Sequence, residues 1–463
     1  MNLTVIKIFI FFSLPFFVRS QSNYMMKGIV HGGKGNRIVF SKIYGKQEIA
    51  TDSTALDKNG SFLFIFPDSQ YLGIYRISLS KDNYADIIFN KENIFLETEI
   101  GRLSVKMKII ESNENKLYYE YINRTAILND SIELLTISGQ NLYDNDPSAN
   151  SSQLKKIAAK IETFESQKNQ LGVKLYSKNP SFFSSKIIKA SLLPDFKAYM
   201  KHKDAAAYPN EMAYLKEHFF DNVDFTDSTM LHTEIIFTKC GEYLQNFADP
   251  PSIDAYKKAI DFILVRTAVN KNINDFVMNT FMNTYDHSDW EDLYIYVADK
   301  YLAQNTCSND VKAKLLSEKS NALKALKPGN KAPSIKTTDI LGKEIILDSI
   351  KSTYTLVLFW ASWCEYCEKT IPDLKNIYTT CKLKGLEILA VSLDSIKQNW
   401  IDATNLFNFP WINTCDLKGF ESPAIRDYNI WHTPVFFLLD KDKKIIAKPV
   451  NTTILKEKLD GVK

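Results

Sequence analysis

The sequence predicts a multidomain chain of three folded parts in series. These are an N-terminal all-β, sandwich-like domain, an α-helical middle domain, and a C-terminal α/β domain whose mixed sheet is covered by helices. Three observations carry that reading. Short apolar runs separated by turn signals fill residues 24 to about 110. Apolar residues then recur at helical spacing up to about residue 326. Beyond a Pro/Gly-containing stretch, Lys327 to Pro333, strand-like and helix-like segments alternate. A chain of 463 residues has room for three such domains at about 150 residues each.

Met1 to Ser20 reads as a secretory signal peptide. Lys7 supplies a positive n-region, Ile8 to Val18 an apolar core, and Val18-Arg19-Ser20 the small residues before a cleavage site. The apolar stretch contains Pro15 and falls short of the roughly 20 residues that span a bilayer. No cysteine follows the cleavage region, so no lipid anchor is indicated, and export to a periplasm or cell envelope is the expectation. The formal charge of +3 and the lack of a long basic block argue against nucleic acid as a partner.

The β-rich part, residues 21–110, contains Phe62-Leu63-Phe64-Ile65-Phe66, apolar on both faces, and the more alternating runs Tyr75 to Leu79 and Phe95 to Ile100. Turn signals lie at Gly32-Gly33, Asp57 to Gly60 and Lys81 to Asn83. No helix start follows His31-Gly32-Gly33-Lys34-Gly35, so a hairpin turn is a better reading than a phosphate loop. In the helical part, residues 111–326, Leu154, Ile157, Ile161 and Phe164 form one stripe, and Tyr256, Ala259, Ile260 and Ile263 another. Breaks fall at Asn179-Pro180, Pro194, Pro209 and Pro250-Pro251. His202, His218, His232 and His287 lack the close pairing of a zinc site, and no metal is assigned. Cys240 and Cys307 read as two separate buried thiols in preference to a disulfide.

From 327 to 463 the expected elements are strands at Thr355–Phe359, Leu386–Leu393, Val435–Leu439 and Ile445–Lys448. Helices are expected at Cys364–Lys382, Ile396–Phe407 and Ile454–Leu459. Five of the six tryptophans fall in this last third. The first strand delivers Trp363-Cys364-Glu365-Tyr366-Cys367 into the start of a helix. Cysteine reacts as thiolate, and a helix N-terminus favours an anion through its unpaired N–H groups. Cys364 is therefore the expected nucleophile. Cys367, one turn deeper on the same side, is placed to attack a mixed disulfide at Cys364 and release the partner. Half of a zinc site is the competing reading, but Cys381 and Cys415 are single and dispersed. A purely structural disulfide is the other. Trp431-His432-Thr433-Pro434-Val435 precedes an apolar strand, where a proline is tolerated because no ladder N–H is needed.

Together Trp363-Cys364-x-x-Cys367, Pro372, and Thr433-Pro434 before Val435 to Asp440 resemble the thioredoxin superfamily, and within it the TlpA/ResA-like exported thiol–disulfide oxidoreductases. Gly329-x-x-Ala332-Pro333, Leu386 to Asp394, Phe409-Pro410-Trp411 and Asp416 to Gly419 extend the likeness over about residues 328–463. The resemblance implies a thioredoxin-like fold, a cis bond at Pro434, redox roles for Cys364 and Cys367, and a substrate-facing surface at Trp363, Thr433 and Pro434. It implies no cofactor beyond the cysteine pair. Its expected partners are disulfide-bearing proteins and a membrane electron donor, and it favours the reductase direction. Lys27 to Val30, Asp52 to Thr54 and Asn59 to Phe62 also look like the small β-domain that precedes such domains in some Gram-negative envelope proteins. The helical middle, with Asn179-Pro180-Ser181 and His218 to Asp221, resembles a linking domain of the same chains.

Two departures from the family pattern stand out. Thr370 occupies the position of an acidic residue three places after the second cysteine, and Leu358 that of a buried aspartate on the preceding strand. Glu365 is expected to oppose thiolate formation at Cys364, and His432 to favour it if the proline loop brings the ring close. A thiol peroxidase on the same fold, or an envelope binding protein with a secondary redox domain, are the alternatives.

Overall fold

The computed structural model describes residues 23–67, 69–146, 148, 150–201, 207–288, 290–304 and 311–461. The signal stretch, His202 and Cys307 lie outside them. The chain divides into two compact units, Met1–Val277 and Met278–Lys463, each considered by itself below.

The first unit opens with eight strands: β1 (Asn23–His31), β2 (Arg37–Tyr44), β3 (Gln47–Ala55), β4 (Ser61–Pro67), β5 (Gly73–Ser80), β6 (Asn83–Phe89), β7 (Ile94–Glu99) and β8 (Lys108–Glu111). They form two four-stranded sheets, ordered β4-β1-β7-β8 and β3-β2-β5-β6. Met26, Phe64 and Leu96 of one sheet and Phe40, Ile77 and Ile87 of the other belong to one buried core, the sandwich expected from the strand pattern. The run at Phe62 alternates after all: its phenylalanines are buried, and Leu63 and Ile65 face outward. The turn at Gly32-Gly33 is no hairpin. Strands β1 and β2 lie in different sheets, so the glycines turn the chain from one sheet to the other.

Helices follow: α1 (Asn113–Asn145), α2 (Ser151–Tyr176), α3 (Phe183–Ser191), α4 (Phe196–Tyr199), α5 (Glu211–His218), α6 (Ile235–Phe247), α7 (Ile253–Thr267) and α8 (Lys271–Tyr285), whose sequence contains the division after Val277. The expected breaks fall between helices because a proline cannot continue the hydrogen-bond ladder. The buried Glu114 of α1 accepts the Phe183 and Ser184 N–H groups at 2.9 and 2.7 Å, capping α3. Cys240 is a buried free thiol on α6, and burial pushes its pKa up to about 12. His218 binds Asp221 at 2.7 Å, and His232 stacks on Tyr71. Among the described residues no group of three or more His, Cys, Asp or Glu side chains is arranged to hold a metal ion.

The second unit begins with α9 (Glu291–Gln304) and α10 (Val311–Ala325), then the hairpin β9 (Lys336–Thr338) and β10 (Glu344–Ile346). The rest is β11 (Tyr354–Trp360), α11 (Glu365–Cys381), β12 (Leu386–Ser392), α12 (Lys397–Phe407), β13 (Ile412–Cys415), α13 (Pro423–Asp427), β14 (Val435–Leu439), β15 (Ile445–Ala447) and α14 (Thr452–Gly461). The sheet order is β13-β12-β11-β14-β15, with β11, β12 and β13 parallel, β14 antiparallel to β11, and β15 antiparallel to β14. This is the mixed, helix-covered sheet that the alternation predicts. Strand β11 lies at its centre, and Leu356 to Trp360 are all at most 2% exposed.

Two features differ from the sequence pattern. No strand is expected at Ile412–Cys415, yet it forms the sheet edge, because Asn413 and Thr414 satisfy their polar groups against Trp360 Nε1 and the Ala390 carbonyl. The Lys327 to Pro333 stretch is no slack linker. Gly329 N–H donates to the Ile445 carbonyl at 2.7 Å, Ala332 N–H to the Lys443 carbonyl at 2.8 Å, and Leu326 is fully buried in the core.

Candidate redox site

The site stands where the central strand β11 ends. Ala361, Ser362 and Trp363 turn the chain, and Cys364 becomes the N-cap of α11 with extended backbone. Its carbonyl accepts the Cys367 and Glu368 N–H groups at 3.0 and 3.1 Å, and the Cys367 N–H also points to Cys364 Sγ at 3.1 Å. Cys364 and Cys367 are joined as a disulfide, with Cα atoms 5.2 Å apart. Both cysteines are buried, Cys364 at 8% exposure and Cys367 at 1%, so Cys364 is the more accessible of the two. Once reduced, the sulfur at the cap receives an N–H and the positive end of the helix, the setting that stabilises a thiolate.

Across from the pair, the Thr433–Pro434 bond is cis, as the resemblance implies, and the Thr433 carbonyl oxygen lies 3.4 Å from Cys364 Sγ. Three parts of the expected site therefore converge: Cys364, Cys367 and the Thr433-Pro434 turn. Trp363 lies beside them, 57% exposed, with its ring tilted against Phe420 at 6.3 Å. Tyr366 and Trp431 add further exposed aromatic surface. Glu365 and Glu368 are exposed in the first turn of α11. His432 is exposed and meets the Trp431 ring edge-on, with centroids 4.3 Å apart.

The positions of the two family proton acceptors are unlike in this chain. Leu358 is buried in β11, and Thr370 donates its hydroxyl to the Tyr366 carbonyl one turn back. The carboxylate that does reach the site from below is Asp394, which the sequence pattern marks only as the end of a family-like segment. Buried to 2% exposure, it accepts Ser362 N–H at 3.1 Å, Ser362 O–H at 2.5 Å and Ser392 O–H at 2.6 Å. It thereby ties the turn before Cys364 to the end of β12. The neighbouring Cys415 donates its thiol to the Asp394 carbonyl, and burial raises its pKa, so it stays protonated. The Ser-x-Asp spacing of Ser392 and Asp394 at a strand end is the signal by which this tie was open to detection.

Comparison with known proteins agrees with this geometry. Residues 328–448 match the model of the AhpC/TSA family, and residues 206–325 match a domain of unknown function, DUF5106. A thiol-disulfide oxidoreductase ResA of Bacillus cereus is 34% identical over 136 residues, covering 29% of this chain and 75% of the relative. ResA of Geobacillus thermodenitrificans is 28% identical over 142 residues, covering 30% and 80%. Among solved structures, a thioredoxin-like protein from Bacteroides caccae is 25% identical, covers 54% of this chain and 92% of its own, and has a TM-score of 0.45. The thioredoxin domain of a Bacteroides vulgatus thiol-disulfide oxidoreductase is 30% identical, covers 29% and 96%, and has a TM-score of 0.28.

Proposed function

Because the chain belongs, through its C-terminal part, to the ResA-like thiol–disulfide oxidoreductases of the thioredoxin superfamily, we propose that it reduces disulfides of exported proteins through Cys364 and Cys367. The carrying observation is the pair's position. Cys364 caps α11 beside the Thr433 carbonyl at 8% exposure, and Cys367, at 1%, is the more deeply buried.

In the reducing cycle the Cys364 thiolate attacks one sulfur of the substrate disulfide. A Cys364–substrate disulfide forms, and the other substrate sulfur leaves as thiolate and takes up a proton. Cys367, after losing its proton, attacks Cys364 Sγ and expels the second substrate thiol. Two electrons and two protons pass to the substrate, and the enzyme is left as the Cys364–Cys367 disulfide. A dithiol donor at the membrane then restores the reduced pair. Trp363, Tyr366 and the Thr433-Pro434 turn form the surface that the substrate chain meets, with the Thr433 backbone available for strand-like pairing. Glu365 in the first turn of α11 opposes the Cys364 thiolate, and His432 favours it when the proline loop brings its ring close. The leader-like Met1 to Ser20 supports export. No described helix is long and apolar enough to cross a membrane.

The test is trapping with Cys367→Ser. The variant is expected to accumulate mixed disulfides at Cys364 with envelope proteins, and these are lost in Cys364→Ser/Cys367→Ser. Recovery of no disulfide-linked partner would count against the exchange. Peroxide consumption sustained by Cys367→Ser would point to a peroxidase instead.

A further inference from the structure

We infer that a cavity of about 920 Å³ beside the proline loop is a subsite for the polypeptide flanking the substrate's disulfide, and that residues ahead of the redox fold make it select a bulky apolar side chain. The inference rests on the exchange proposed at Cys364. The cavity lies wholly in the second unit and borders the redox site at the proline loop. Pro434 and Val435 line it, and they directly follow Thr433, whose carbonyl is 3.4 Å from Cys364 Sγ.

Backbone geometry favours an extended chain as the occupant. Strand β14 pairs with β11 from Val435 to Leu439, but with β15 only at Leu438 and Leu439. Strand β15 stops at Ala447, and Pro449, which has no N–H for a ladder, follows soon after. The β15 side of Val435 to Phe437 therefore carries no strand among the described residues, and the cavity lies along that stretch. Phe436 and Phe437 are only 1% exposed, so a peptide leaving Cys364 meets this edge at Pro434 and Val435.

The walls set the preference. Trp290, Trp431, Phe437, Val450 and Ile454 give aromatic and aliphatic surface. Of the charges at the rim, Lys448 pairs with Glu291 at 2.6 Å and Lys327 pairs with Asp292, while Lys458 is exposed to water. A charged side chain gains little from such a rim, whereas an apolar one gains by leaving water. The volume lies near the top of the ordinary range for ligand pockets, about 300–1,000 Å³, and exceeds one side chain. Trp290, Glu291 and Asp292 belong to the start of α9, and the preceding His287 packs its ring on Trp431 at 5.4 Å. The helical segment thus adds a wall that strands β11 to β15 and their covering helices do not supply.

The experiment compares kcat/KM of the full chain for disulfide-linked peptides that carry tryptophan or serine two to four residues from the cysteine, alongside hydroxyethyl disulfide. The wild type is expected to prefer the tryptophan peptide by about tenfold or more, the burial of one large apolar side chain. Trp290→Ala, which removes a wall, and Ile454→Trp, which fills the cavity, are each expected to bring the ratio below about threefold. A ratio cancels any general loss of folded enzyme. Turnover of hydroxyethyl disulfide with no peptide preference, or a preference that neither variant alters, overturns the subsite and leaves the exchange standing. Absence of turnover on every disulfide overturns the exchange itself. A wild-type dimer that Ile454→Trp dissociates would assign the cavity to a second copy and also overturn the subsite.

Discussion

Replacing Asp394 should weaken the second unit strongly with alanine and moderately with asparagine. The carboxylate is 2% exposed and accepts three hydrogen bonds. Alanine leaves the Ser392 hydroxyl and the Ser362 N–H without an acceptor, while the partly buried Ser362 hydroxyl can turn to water. Each stranded donor costs about 1–3 kcal/mol, so the loss is about 2–6 kcal/mol. Asparagine can direct its one oxygen at Ser362 N–H and Ser392 O–H, and its NH₂ at the Ser362 hydroxyl, which then accepts. The cost becomes the difference between charged and neutral hydrogen bonds, about 1 kcal/mol each, or about 1–3 kcal/mol in all. The assay is urea unfolding followed by tryptophan fluorescence. All six tryptophans lie between residues 278 and 463, so the signal reads this unit alone. Ser362→Ala combined with Asp394→Ala should show a coupling of about 1 kcal/mol, because the two residues share bonds. Equal losses below about 1 kcal/mol in the alanine and asparagine variants would refute the reasoning, since a buried carboxylate holding three donors cannot be so cheap to remove.

Three further outcomes are expected. In the reduced protein an alkylating reagent should modify Cys364 well before Cys367, because Cys364 caps the helix at 8% exposure and Cys367 is 1% exposed; peptide mapping after brief labelling checks this, and equal labelling would contradict it. Cys240 holds its proton up to about pH 12 in the folded state but only to about 8.5 when unfolded. Its contribution is therefore intact below about pH 8.5 and lost as pH rises toward 12, with a slope of up to about 1.4 kcal/mol per pH unit; circular dichroism of denaturant unfolding should show a shallower alkaline decline in Cys240→Ala. Gly60→Ala should destabilise the first unit by about 2 kcal/mol or more, since Gly60 has φ +78° and a Cβ there would sit 2.1 Å from the Val30 carbonyl oxygen; a Tm from circular dichroism within a degree of wild type would be the contrary result.

What the sequence discloses tracks how local each signal is. The run Leu356 to Trp360 reads as a buried strand and is one, because five adjacent apolar residues need no partner to be recognised. Cys364 and Cys367 are legible for the same reason: strand, cap and helix turn are contiguous. The cis turn at Pro434 is reached only through family likeness, since spacing alone favours a trans bond. Strand β13 escapes detection because Asn413 and Thr414 look like loop until Trp360 and Ala390 supply their partners from other strands. For Asp394 the local Ser-x-Asp spacing is visible, but its bond to Ser362, 32 positions earlier, is not. Nothing in the sequence pattern marks Trp290 or Glu291, and only the fold brings them beside the proline loop.

Leu326 and the segment after it bear on where the gene can be cut. A fragment begun at residue 327 follows the compositional boundary, but it removes a fully buried leucine from the core and strips α9 and α10 from the unit. Losing a large aliphatic side chain from a packed interior costs about 2–5 kcal/mol. It also leaves Lys448 without its partner Glu291. A fragment cut at residue 327 is therefore expected to be less stable than one that keeps Leu326, α9 and α10.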